Sequence, residues 1–223
     1  MRNLIFKSLI LLLLSSGGCK NLILFSIEDD KKLGAQVSAE IASKPKEFPV
    51  LNQKSYPFAY KYLNGIRDKI LRSGKVDYQD EFAWELKIIQ NDTVLNAFAT
   101  PGGYIYVYTG LIKYLDKEDD LAGVLGHEIA HADKRHSIRQ LQKVYGIQIL
   151  LSIALGQNPS QLEQIVGGLA GNLATLRFSR EHEEEADDYS VVYLAQTPYQ
   201  CNGAYSFFQK MLEEQKAGQV PKF

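Results

Sequence analysis

The sequence predicts an α+β fold: a mostly helical domain with one small antiparallel sheet next to a helix that carries His127-Glu128-Ile129-Ala130-His131. Two observations lead there. Apolar residues recur at three- and four-residue spacing on both sides of a central stretch, and within that stretch, Phe82 to Thr109, the period drops to two. Helices and strands therefore come in separate blocks rather than alternating, as in α+β domains. At 223 residues, 45% hydrophobic and 23% charged, the chain is long enough to bury one substantial core.

Each element follows from its own pattern. Asp29 to Ser43 and Phe58 to Ser73 read as amphipathic helices, the second through Tyr62, Ile66 and Ile70, with Pro45, Pro49 and Pro57 punctuating the connection. Trp84, Leu86 and Ile88 alternate with Glu85, Lys87 and Ile89. Tyr104, Tyr106 and Tyr108 do the same with Ile105 and Val107, so both runs read as strands. Pro101-Gly102-Gly103 is a turn signal that joins Asn96–Thr100 to the tyrosine strand in an antiparallel hairpin. Beyond Asp119 the pattern is helical, broken near Gln157–Ser160 and Thr197–Gly203. The segment from Gly146 to Leu176 is apolar and glycine-punctuated, and reads either as core or as a lid over the site.

The N-terminus stands apart from this domain. Arg2 and Lys7, the apolar run Leu9–Leu14 and the small residues Ser15–Gly18 read as an export signal over residues 1–18, too short in its apolar part to span a bilayer comfortably. Cys19 after two glycines resembles a lipobox, although Ser16 stands where leucine is usual, so Cys19 is expected to carry lipid; the alternatives are a plain secretory signal or an uncleaved anchor helped by Leu22–Phe25. Residues 19–28 would then tether the folded domain, 29–223, to a bacterial cell envelope. Lys20 fits the outer membrane, facing the periplasm, if the cell is Gram-negative. Cys201 is left as the lone thiol of the mature chain, so no intrachain disulfide is expected. A net charge of -1 and a pI near 6.4 lack the basic excess that nucleic-acid binding requires. Oligomeric state has no signature here.

The chemistry is carried by H-E-x-x-H. Leu121, Val124, Leu125 and Ile129 keep helical spacing, so His127 and His131 lie about 40° apart and one turn offset, and both imidazoles reach one ion. Zinc is the metal this pattern predicts, with Glu128 as the base that takes a proton from the attacking water. Two histidines leave one ligand missing. A metzincin would place a histidine beyond a glycine turn, but Lys134 and Ser137 stand at those two positions. His136, nine residues after His127, points about 180° away on a continuous helix and suits an outer role. The acidic run Glu181–Asp187 offers the alternative. Glu183 and Asp187 share one helix face, so one can ligate zinc while the other accepts the N–H of a ligand histidine. Glu181 and Glu184 suit a solvated helix start.

Three blocks in this order, Asn96–Val107, Leu125–Ala132 followed by Arg135-His136-Ser137, and Phe178–Asp187, resemble the forty-eighth family of metallopeptidases, which includes the CAAX prenyl endopeptidases, HtpX, BepA and LoiP. The resemblance runs from about Asp29 to the C-terminus. It implies a gluzincin-like zinc endopeptidase with Glu183 as third ligand and Asp187 as its outer partner. It also implies protein or peptide substrates lying extended along an edge strand, for which Asn96, Ala97 and Phe98 are the candidates. Neither the membrane spans of the prenyl endopeptidases and HtpX nor the helical-repeat domain of BepA is expected from this sequence, and the compact lipid-anchored type is the expected one. Membrane-associated or misfolded envelope proteins are the expected substrates. The alternative is an envelope quality-control factor that binds such proteins and rarely cuts them.

Overall fold

The computed structural model describes residues 25–171 and 178–216. The predicted export signal and Cys19 lie outside them. Among the described residues there are nine helices and three strands. α1 (Ile27–Ser43) opens at Ser26, whose hydroxyl accepts from Asp29 N–H while the Asp29 carboxylate accepts from Ser26 N–H, a reciprocal capping box. Phe25, inside the predicted tether, is already buried, so the folded domain starts earlier than Asp29. α2 (Pro57–Leu71) follows, with proline at its first position.

The sheet differs from the predicted one in strand bounds and in pairing: the first strand begins only at Leu86, because Trp84 has a left-handed backbone (φ 46°), and Asn96 lies just before the second. β2 (Ala97–Thr100) and β3 (Tyr104–Tyr108) form the expected antiparallel hairpin across a 3-10 turn at Pro101–Gly103, but β1 (Leu86–Ile89) pairs with β3 in parallel, Leu86 opposite Ile105. The order β1-β3-β2 makes the sheet mixed. β3 is apolar on both faces and gains most from the centre, and its short turn fixes β2 as one neighbour, so β1 must take the other side.

Alternation along these strands divides the interior in two. Leu86, Ile88, Ala97, Ala99, Ile105 and Val107 face a core shared with α2, α4 (Glu118–Asp133), α8 (Arg180–Leu194) and α9 (Gly203–Lys216). Ile89, Phe98, Tyr106 and Tyr108 face a second core with α1, α5 (His136–Tyr145), α6 (Ile147–Ala154) and α7 (Pro159–Gly171). α3 (Thr109–Tyr114) links β3 to α4. The described part of the glycine-punctuated segment is thus core: Leu150, Ile153, Leu162, Ile165 and Val166 pack with Leu33, Val37 and Ile41 of α1. Residues 172–177 lie outside the described residues.

α4 sits at the middle of the first core, and two of its glycines let its neighbours approach. A Cβ on Gly123 would run into the backbone of Gly203 and Ala204 at the start of α9, and one on Gly126 would come 2.7 Å from Ser190 Oγ of α8. The second approach sets α8 alongside the histidines. At the far end of α4, the buried Asp133 carboxylate accepts from Tyr193 Oη (2.6 Å) and Tyr78 N (2.9 Å), which fastens the helix to α8 and to the loop before β1.

Candidate metal centre

His127 and His131 point to the same side of α4, with their Nε2 atoms 2.9 Å apart. Glu183, in the first turn of α8, brings Oε2 to 3.4 Å from His127 Nε2 and 3.8 Å from His131 Nε2. Donors about 2.0–2.1 Å from a tetrahedral zinc ion are about 3.3–3.4 Å from one another, so the three separations bracket the spacing that zinc requires. Among the described residues, these three form a group whose ligand atoms all lie within 4.8 Å of each other, and they could hold a metal ion.

The far sides of both rings are engaged. His127 Nδ1 lies 2.8 Å from Asp187 Oδ1, and a carboxylate only accepts, so Nδ1 carries a proton and Nε2 is the atom turned to the metal position. His131 Nδ1 lies 2.9 Å from His136 Nδ1, and His136 Nε2 lies 2.9 Å from Glu185 Oε2. The helix break that places His136 there occurs at Arg135, whose backbone is left-handed (φ 59°). Arg135 is held in that conformation by its guanidinium, which donates to the Asp30 carboxylate at 2.7 and 2.9 Å and to the Phe25 carbonyl. Phe178 stacks on the His131 ring at 4.0 Å, and His182 on the His136 ring at 4.5 Å.

Charge is distributed unevenly over this cluster. Burial pulls His127 down, but the Asp187 and Glu183 carboxylates outweigh it and hold the ring at about 10. Burial dominates at His131 and His136, which both fall to about 4 and are neutral imidazoles at pH 7. Glu183 resists its own burial through the two histidines, which keep its carboxyl far below the usual range. Glu128 is half-buried, and desolvation lifts it to about 7 against the pull of His127 and of a hydrogen bond from Ala99 N–H.

That last contact ties the site to the sheet. β2 is an edge strand, and the bond from Tyr108 N to the Asn96 carbonyl (3.1 Å) sets Asn96, Phe98 and Thr100 facing β3, so the backbone groups of Ala97 and Ala99 face outward. The Ala99 carbonyl accepts from Ser137 Oγ at 3.0 Å, and its N–H reaches Glu128. Of the three predicted edge residues, Ala97 alone presents its main chain outward. The Phe98 side chain stacks on Tyr106 at 4.8 Å inside the second core. The structure thus brings His127, His131, Glu183, Asp187 and Glu128 together. Sequence reasoning missed Glu185, Phe178 and Ser137. Position within the quoted blocks was their one sign, since each acts through a partner on another element.

Two imidazoles one turn apart on a buried helix, completed by a carboxylate from a second helix, make a two-histidine, one-glutamate donor set next to a sheet edge. The chain belongs to peptidase family M48, whose family model matches residues 58–217. It is 26% identical over 182 residues to the putative beta-barrel assembly-enhancing protease of Vibrio cholerae, covering 78% of this chain and 36% of that one. It is 27% identical over 186 residues to the mitochondrial metalloendopeptidase OMA1 of Schizosaccharomyces pombe, covering 83% and 53%. With metalloprotease YcaL of Escherichia coli it shares 28% over 120 residues, 52% and 47% of the two chains. The chain therefore spans about a third to a half of the length of these relatives.

Proposed function

We propose that this chain is a zinc-dependent endopeptidase of a bacterial cell envelope, acting on membrane-associated or misfolded envelope proteins. The observation that carries the reading is the convergence of two imidazole nitrogens and one carboxylate oxygen, from α4 and α8, at zinc-ligand spacing. His127, His131 and Glu183 would hold one zinc ion per chain, which when bound polarises the scissile carbonyl and acidifies water. Glu128 takes the proton from the attacking water and delivers it to the leaving amine. Asp187 holds the His127 ring in the ligating tautomer. An extended substrate adds to the outer edge of β2, where the Ala97 main chain faces out a short distance from the Glu128–Ala99 contact.

The envelope setting is supported by the bacterial relatives named for beta-barrel assembly and by the N-terminal sequence. In this proposal residues 1–18 are removed, lipid on Cys19 holds the chain to the membrane, and 19–28 connect it to the catalytic domain. No helix among the described residues is long and apolar enough to cross a membrane. Replacing Glu128 with Gln tests the mechanism: zinc should stay bound while casein cleavage falls by about 10²- to 10⁴-fold. Cleavage at the wild-type rate by the zinc-loaded variant rules it out.

A further inference from the structure

We infer that His136 and Glu185 form an outer relay that fixes the ring proton of His131 on Nδ1, so that His131 Nε2 is offered to the metal as a lone pair. The inference rests on the metal-site reading above and adds two positioning residues to it. The direction of the relay follows from its far end. The same Glu185 oxygen, Oε2, also receives Arg139 Nη1 at 3.3 Å, and an oxygen held by a guanidinium acts as the acceptor. His136 must then carry its proton on Nε2, 2.9 Å from Glu185, which leaves His136 Nδ1 as an acceptor. His131 Nδ1, 2.9 Å from that acceptor, must be the donor. The opposite direction would leave Glu185 facing a bare nitrogen and would put a proton on His131 Nε2, 2.9 Å from His127 Nε2, in the place of the metal.

Burial and stacking hold the relay in register. His136 is fully enclosed, and its ring lies nearly parallel to His182, with 11° between the planes. The His131 ring is stacked on Phe178 with 18° between planes. Both ligand histidines thus end on a carboxylate of α8, His127 directly on Asp187 and His131 through His136 on Glu185. α8 therefore sets the tautomers of both ligands as well as supplying the third.

The test measures zinc affinity of the full chain by chelator competition, together with nitrogen NMR of the histidine rings in the zinc-loaded protein. In the wild type, His131 should carry its proton on Nδ1 and His136 on Nε2. His136→Phe and Glu185→Ala should weaken zinc binding, the first by about 10- to 100-fold and the second by less. Glu185→Gln keeps an acceptor oxygen and should recover most of the loss, which a merely structural side chain would not do. A proton on His136 Nδ1 overturns the relay, and so does zinc affinity of folded Glu185→Ala within about twofold of wild type. Should His136→Phe fail to fold, the two Glu185 variants and the NMR assignment decide. Wild-type chain that binds no zinc takes down the metal-site reading and the relay together. Zinc bound by wild type, lost in Glu183→Ala and unchanged in Glu185→Ala takes down the relay alone.

Discussion

α4 and α8 both supply the candidate metal centre, and they do so from opposite surroundings. α4 is buried from Leu121 to Asp133 except at Glu128, and the side chains of His127 and His131 are 9% and 2% exposed. α8 is buried along one stripe, Ala186, Ser190, Tyr193 and Leu194, and the side chains of Glu183 and Asp187 remain 46% and 58% exposed. The imidazoles are therefore placed by the core itself. The carboxylates are placed by what they bind. It follows that changes on α4 should cost stability and metal together, whereas changes at the α8 carboxylates should cost metal selectively.

The comparison can be broken first at His131. His131→Ala should lower zinc affinity by on the order of 10³-fold. It should also cost the metal-free protein about 1–3 kcal/mol, because His136 Nδ1 would be left buried without its partner. Chelator competition and denaturant unfolding read the two effects separately. Next, Gly123→Ala on α4 should destabilise the fold by about 1–3 kcal/mol through its collision with α9, while Glu184→Ala on the exposed side of α8 stays within about 0.5 kcal/mol. Equal melting temperatures for these two variants would erase the distinction between the helices.

A smaller effect sharpens the electrostatic side. His127 is held at about 10 by Asp187 and Glu183, so at pH 7 it carries a proton that a metal ion must displace. His131, at about 4, has already lost its own. Zinc binding near pH 7 should then release about one proton, and apparent affinity should rise about tenfold per pH unit until the pH passes His127 and the slope levels off. Calorimetry in buffers of different ionisation enthalpy measures the proton count. No release would contradict the placement of both carboxylates beside His127.

How much of this was legible in the sequence depends on how local each feature is. The histidine pair was legible because a four-residue spacing on a helix settles its geometry without reference to the rest of the fold. Glu183 and Asp187 share the same spacing, and their face was legible, but their assignment to ligand and partner needed the family blocks. His136 shows where local reasoning stops. Continuous helical phasing points it away from the ion, and the helix does break before it, at Arg135, which is neither glycine nor proline. The left-handed cost of about 1–2 kcal/mol is offset there by ties to Asp30 and Phe25, more than a hundred residues earlier. The parallel pairing of β1 was hidden for a similar reason: alternation marks a strand, and packing of the two cores chooses its neighbour.

The candidate metal centre depends most directly on its third ligand, because Glu183 is the one that joins α8 to α4. Zinc content should be measured on wild-type chain and Glu183→Ala, each loaded with zinc and desalted. One zinc per wild-type chain and none in a folded Glu183→Ala is the predicted result. Full retention of zinc in Glu183→Ala would contradict it and move the third ligand elsewhere.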